Sequence, residues 1–351
     1  MKRFLTCAVA VMMLCSLIFA AAGCGSNNAV TLTLLNWGEY LDPDILKEFN
    51  STHDDIRVVE KKVTSNEEMY AILSTEGHGY DMCVPSDYLV ERMIADDMLE
   101  KIDVNNISNY KYVKDVAESR TFDPTSSYSI PYMYGTVGIV YNTTMVDEEV
   151  DSWDILWDEK YKGQIMMYDS VRDSMAVALI KLGYDINTTD PKQIEEARDL
   201  LIEQKPLVLA YGTDEIKSSM ISGSAALAVD YSGAAVDAIS KNEDLKYVVP
   251  KEGSNIWVDN IVVLKGTKNK EACETFIDFL CDPEISARNS EYIGYTVPSD
   301  EAIQYVDEEL SSIPGYVVTQ EERDRCEYYR YLGDDLELYY DAWTKVSTTN
   351  Q

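Results

Sequence analysis

Apolar runs that end in a short loop cluster and then lead into a helix-like stretch recur along this chain of 351 residues, and that alternation most constrains its fold. Five runs close on an aromatic ring paired with a carboxylate: Asn36-Trp37-Gly38-Glu39-Tyr40, Ser86-Asp87-Tyr88, Tyr168-Asp169-Ser170-Val171-Arg172-Asp173, Asp230-Tyr231-Ser232 and Trp257-Val258-Asp259. Four of the five precede a helix-like segment, so they belong at the carboxyl ends of strands, the edge at which open α/β sheets bind small ligands. Rings offer their faces to a cation and carboxylates offer countercharge, so these clusters imply a small organic cation as ligand.

The spacing predicts strands over 31–35, 56–59 and 80–84, alternating with helices. Asp42 and Pro43 supply an N-cap and a first helical position, with Ile45, Leu46 and Phe49 on one apolar face. Ser65 and Glu68 have capping-box spacing, and 87–99 reads as a further helix. Such alternation implies a mostly parallel sheet with crossover units. The stretch 129–141 reads as a crossing into a second lobe, which repeats the pattern: a strand over 165–168, helices from Ser174 and Pro191, and a strand over 225–229. A strand over 256–264 crosses back, and Ala272, Phe276, Phe279 and Leu280 fit one helix face. The tail over 321–346 reads as one tyrosine-rich helix strapping the lobes together. A chain of this length exceeds a single core, which favours two lobes independently.

The formal charge of −32 excludes nucleic acid as a partner, since phosphate binders need basic patches. Such a charge enriches cations near the surface, although solubility alone accounts for most of it. The N-terminus reads as a secretion signal, with Lys2 and Arg3 before an apolar stretch over 5–20. Ala21-Ala22-Gly23-Cys24 then resembles a bacterial lipoprotein box, in which Cys24 is lipidated and becomes the first mature residue. Loss of residues 1–23 removes two positive side chains and no negative one, leaving −34. No other segment is long and apolar enough to span a membrane. Among the remaining thiols, Cys83, Cys273, Cys281 and Cys326, no metal-like spacing exists, and histidine is limited to His53 and His78. These cysteines are expected as buried small hydrophobes, with no metal and no cofactor.

A diamine or triamine carries a positive charge at each nitrogen and methylenes between them. Each buried ammonium needs a countercharge, and the methylenes need apolar walls that flat rings provide. Glu39, Asp173 and Asp259 are the candidate acids, and Trp37, Tyr40, Tyr88, Tyr231, Trp257 and Tyr295 the candidate walls. Arg172 does not suit a cation site, and its expected role is to pair with and orient Asp173 or another acid. Enzyme signatures are poor: no Gly-rich phosphate loop, no nucleophile elbow and no His-rich metal motif. Asp169 and Asp173 could form a glycosidase pair, and nothing in the residues selects that over binding.

Several motifs, in order along the chain, resemble the extracytoplasmic spermidine/putrescine-binding proteins of polyamine ABC transporters. They include NWGEY from Asn36, YDMCVPSDY from Tyr80, YSIPYMYGTVGI from Tyr128, KLGYDINTTDPKQIE from Lys181, PKEGSNIWVDN from Pro250 and IGYTVPS from Ile293. The resemblance implies an α/β, two-lobed periplasmic-binding-protein fold of type II, each lobe a mostly parallel sheet flanked by helices, with the ligand cleft between them. It divides the chain into a signal over 1–23, a lipidated linker over 24–29, one lobe over 30–135 with 258–303, and the other over 136–257 with 304–351. It implies ligand-lining roles for Trp37, Glu39, Tyr40, Ser86, Tyr88, Trp257, Asp259 and Tyr295, and a basic–acidic pair at Arg172 and Asp173.

Three departures bear on which amine is preferred. Ser170 stands where an acid is common, leaving Asp169 or Asp230 to compensate. Tyr231 replaces a tryptophan, and Tyr329 lies nearest to a tail glutamine without a counterpart. The function implied is a lipoprotein, exported and anchored by its lipid to the outer face of the cell membrane, that hands putrescine or spermidine to an ABC permease as a monomer. The alternatives are another solute (an amino acid, a sugar or ferric ion), a carbohydrate-active enzyme using Asp169 and Asp173, or a sensor of polyamine level.

Overall fold

The structure, a computed structural model, describes residues 29–118 and 120–349. The secretion signal and Cys24 therefore lie outside the described residues. Strand β1 (Val30–Asn36) runs parallel between β2 (Ile56–Lys62) and β3 (Met82–Cys83). Its leucines at 32, 34 and 35 are buried, the signature of an interior strand covered on both faces. Helix α1 (Pro43–Thr52) starts as its residues dictate: the Asp42 carboxylate accepts from the Asp44 N–H, Pro43 occupies the first turn, and Ile45 and Phe49 point inward. Phe49 meets Phe276 edge-on at 4.8 Å between centroids. Helices α2 (Asn66–Leu73), α3 (Asp87–Ala95) and α4 (Tyr110–Glu118) complete this half together with α9 (Lys270–Leu280) and α10 (Pro283–Ile293).

Strand β4 (Ser129–Asn142) is the pivot. Its residues 129–136 pair antiparallel with β9 (Ile256–Val263), and 137–142 pair antiparallel with β7 (Leu227–Tyr231) and β8 (Leu245–Val248). The second half adds β5 (Ile165–Tyr168) and β6 (Val208–Gly212), with helices α5 (Val171–Lys181), α6 (Pro191–Gln204), α7 (Asp214–Ile221) and α8 (Ser232–Lys241). The whole order is β2-β1-β3-β9-β4-β7-β5-β6, with β8 beside β4. Pairing is parallel wherever a helix connects strands within a half and antiparallel at β4 and β9, because these two strands carry the chain across in opposite senses.

Each half keeps its own core. Leu32, Phe49, Ile261 and Phe276 fill one, while Trp153, Leu179, Leu201 and Tyr339 fill the other. Cys83, Cys273 and Cys281 are buried and Cys326 is half-buried, all as free thiols.

Several elements differ from the expectation. α3 stops at Ala95, since Asp97 takes a positive φ of 58° that ends the turn. α5 begins at Val171, ahead of the expected Ser174, because the Ser170 hydroxyl accepts from the Asp173 N–H and caps the helix earlier. Strands β6 and β8 had no strong alternation to announce them.

The tail is not one helix. It folds as Gln320–Arg325 and then α11 (Leu336–Thr348), separated by an irregular segment whose backbone is claimed by other elements. The Glu327 N–H donates to the Ser254 carbonyl, Asn187 donates to the Tyr328 carbonyl, and the Arg330 N–H donates to Asn187. Tertiary hydrogen bonds thus override helix propensity there.

Gly135 on β4 exists because the sheet leaves no room for a side chain: a Cβ there would lie 2.6 Å from the Trp257 ring and 2.7 Å from the Ser232 hydroxyl. Gly135→Ala is expected to lower stability by about 1–3 kcal/mol through overpacking. It should also shift the tryptophan emission; urea unfolding followed by fluorescence measures both.

Candidate ligand-binding cleft

The carboxyl ends of β1, β5 and β7, the start of α3 and the outer part of β9 converge on one cavity of about 710 Å³ between the two halves. β1 delivers Trp37 and Tyr40 through a tight turn, α3 opens on Ser86 and Asp87, and β9 presents Trp257 and Asp259 on the same face by its period of two. From the other side β5 and the capped start of α5 contribute Asp169, Ser170, Arg172 and Asp173, and β7 contributes Tyr231. Tyr88 and Tyr295 also line this space, so the ligand-site residues singled out from the sequence are brought together except Glu39 and Asp230. Glu39, expected as an ammonium seat, sits exposed on the turn after β1 and is not part of the lining. The turn aims Trp37 and Tyr40 inward and leaves the intervening residue to solvent.

Asp259 is the cavity's best-defined anion. It is buried, and the Tyr40 phenol donates to one oxygen at 2.6 Å while the Ser86 hydroxyl donates to the other at 2.7 Å. Both donors are held in turn. Tyr132 donates to the Tyr40 carbonyl at 2.6 Å, and Asn66 donates to the Ser86 oxygen at 3.0 Å. Burial pushes the Asp259 carboxyl up to about 6, against the downward pull of those two hydrogen bonds.

Trp257 stands perpendicular between two tyrosines, 4.9 Å from the Tyr295 ring and 6.2 Å from that of Tyr231. Tyr295 reaches this position over Gly233 at the start of α8, where a Cβ would come within 2.2 Å of the ring. The Trp257 and Trp37 indole N–H groups are buried without partners.

Asp173 is buried at the opposite wall, and both its oxygens accept from phenols: Tyr231 at 2.8 Å and Tyr329 at 3.0 Å. Arg172 does not orient it. The guanidinium turns away to donate to the Asn187 side chain at 2.8 Å and the Arg330 carbonyl at 3.4 Å, and lies over the Tyr329 ring at 4.3 Å. Arg172 still lines the cavity, with its charge on a ring face and two neutral acceptors and on neither Asp173 nor Asp259. Asp169 is exposed at the rim. Asp230 is buried but lies outside the lining, its carboxylate accepting from the Tyr231 N–H at 2.8 Å, so it does not replace the acid missing at Ser170.

Sequence reasoning missed Asp87 as a wall of its own. It is buried, one oxygen has no partner, and burial drives its carboxyl well above the usual range. It lay within a recognised cluster, but nothing local distinguished it from a helix-start acid. Tyr329, Tyr331 and Tyr340 also line the cavity. Tyr329 was signalled only as the residue nearest a missing glutamine.

A family model for bacterial extracellular solute-binding proteins matches residues 44–315. The spermidine/putrescine-binding periplasmic protein of Escherichia coli K12 is 34% identical over 329 residues, 93% of this chain and 94% of its own. The spermidine/putrescine ABC transporter substrate-binding protein PotD of Streptococcus pneumoniae superposes with a TM-score of 0.83 at 36% identity, covering 91% of this chain and 99% of its own. The Tp0655 (TpPotD) lipoprotein of Treponema pallidum superposes with a TM-score of 0.81 at 28% identity, covering 90% and 99%. The fold is therefore the two-lobed periplasmic-binding-protein fold of type II, with the cleft between its lobes. The chain belongs to the bacterial extracellular solute-binding protein family, whose members serve as substrate-binding components of transport. Among the described residues no helix is long and apolar enough to cross a membrane.

Because the folded Asp259 holds its proton more tightly than an unfolded aspartate, whose pKa is near 3.9, its burial costs nothing below about pH 4 and costs progressively more as pH rises through 6. In the ligand-free protein Asp259→Asn should therefore gain stability relative to the parent between pH 4 and pH 7, by about 2–3 kcal/mol. Denaturant titrations of both proteins across that range measure the slope; parallel curves would contradict it.

Proposed function

We propose that this protein captures a polyamine, putrescine or spermidine, outside the cytoplasm and delivers it to an ABC permease. The observation that carries the reading is Asp259: a buried carboxylate with no cation of its own, fixed by Tyr40 and Ser86 beside the perpendicular rings of Trp257 and Tyr295. A protein retains so costly a charge when a cation arrives to complete it. One ammonium seats on Asp259 under the Trp257 face, and a second on Asp173, whose oxygens keep spare lone pairs beside the Tyr231 and Tyr329 phenols. The rings of Trp37, Tyr40, Tyr231 and Tyr295 wall the methylenes, with Tyr88 closing one side. Binding then favours closed lobes, because the ligand neutralises acids that repel each other across the empty cleft.

The names of the Escherichia coli and Streptococcus pneumoniae relatives support the ligand class and the permease partner. We infer lobe limits near those expected, 30–135 with 258–303 and 136–257 with 304–351, hinged where β4 passes from β9 to β7. Lipid anchoring through Cys24, and action as a monomer, belong to the same proposal. The glycosidase alternative is disfavoured, since Asp169 is exposed at the rim of the cavity.

Calorimetric titration of the protein lacking residues 1–24 with putrescine, cadaverine, spermidine and spermine tests the reading, with arginine and maltose as controls. One-to-one saturation by at least one amine is expected, and silence with all four from a folded sample would refute it. Asp259→Ala and Trp257→Ala should each weaken binding by roughly 30-fold or more, as removing a buried charge partner or a central ring does. Glu39→Gln, off the cavity, should change affinity by less than about 3-fold.

A further inference from the structure

The mouth of the cleft is spanned by a contact that the ligand chemistry leaves unused. Glu91 lies on α3, in the lobe built on β1, and Arg330 lies in the irregular tail segment docked on the other lobe. The Arg330 Nε donates to both Glu91 oxygens at 3.0 and 2.9 Å, its Nη2 donates to Oε1, and the Tyr331 N–H donates to Oε2 at 2.8 Å. The neighbouring Arg92 adds ring contacts, its guanidinium 3.5 Å from the Tyr70 centroid and 5.2 Å from that of Tyr331. On the far side the Arg330 backbone is anchored by its N–H on Asn187 at 2.8 Å and by its carbonyl accepting from Arg172. One residue therefore has its backbone on one lobe and its charge on the other.

Both ends of this contact adjoin cavity walls. Glu91 follows Tyr88 at i+3 and Asp87 at i+4, one helical turn away on the same face of α3. Arg330 follows Tyr329, whose phenol sits on Asp173. The pair is partly open to water, with the side chains of Glu91 and Arg330 23% and 42% exposed, so it is weak enough to break and re-form and is sensitive to salt. The forked geometry makes it specific for arginine. Glu91 also cancels a positive charge that would otherwise stand at the entrance of a cation site.

We propose that Glu91 and Arg330 form a clasp across the cleft that retains bound ligand. They are positioning residues that act through Tyr88 and Tyr329 and do not seat the ligand. This rests on the cleft being the amine site. Stopped-flow tryptophan fluorescence with putrescine gives the association and dissociation rates. Glu91→Gln and Arg330→Gln are each expected to speed dissociation about 3- to 10-fold, the range of a forked, half-exposed pair. Association should slow only in Glu91→Gln, where Arg330 is left uncompensated, a difference between the two variants that mere loss of packing would not produce. The exchange Glu91→Arg with Arg330→Glu should return dissociation to within about 2-fold of the parent. Unchanged dissociation in both single variants, or no recovery in the exchange, would overturn the clasp.

If the parent protein binds no amine, the functional reading fails by itself. The clasp is then decided by small-angle scattering of the ligand-free proteins: a larger radius of gyration in the single variants than in the parent supports it, and equal radii overturn it.

Discussion

The cost of removing a carboxylate from water governs this molecule. Asp259 sits buried on a central strand, and its two oxygens are satisfied by hydroxyl donors that bring no positive charge. Tyr40, Ser86, Tyr132 and Asn66 form the scaffold that makes this tolerable, and each lies on a different element. The half of the protein around β1, α3 and the start of β4 is arranged about that anion. Asp173 repeats the device in the other half, again with neutral phenols as partners. Paired with built-in cations, these acids would have made a stable but inert interior; partnered only by hydroxyls, they remain receptive to a cation from outside.

Arginine placement follows the same logic. Arg172 begins α5 beside the site yet spends its charge on Asn187, a carbonyl and the face of Tyr329. Arg330 is neutralised by the fork on Glu91. Both arginines line the cleft, yet neither hydrogen-bonds Asp259 or Asp173, so those two acids keep only hydroxyl donors. The crossing strands supply the mechanical counterpart. Because β4 belongs to both half-sheets, the lobes share a continuous backbone at the base of the cleft, whereas at its mouth they meet through side chains.

Much of this was legible in the residues. The runs that became β1, β5 and β9 appeared at nearly their observed limits, because interior strands gather buried apolar residues into short, bounded runs. Asp42-Pro43 marked the start of α1 for reasons that involve only neighbouring atoms. The ring-and-acid clusters were found because strand ends are where polar chemistry interrupts an apolar run. What failed was whatever depended on distant partners. The tail looks helical by composition, yet its middle is drawn out by hydrogen bonds to Ser254 and Asn187. Arg172 and Asp173 are adjacent in the chain and invited pairing, but successive residues on a helix point apart, and each found a partner elsewhere. Glu39, inside the strongest motif, faces solvent.

The sequence by itself determined the class of protein: alternating strands and helices, an acidic surface, and loop ends furnished for a cation, all written in local periodicity and residue chemistry. Only the tertiary structure decided which acids are buried, that Asp87 joins the cleft wall, that Tyr329 caps Asp173 in place of Arg172, and that Glu91 meets Arg330 across the mouth. Burial and long-range pairing are properties of chain segments brought together from far apart, and a local pattern carries no information about which distant side chain will be waiting there.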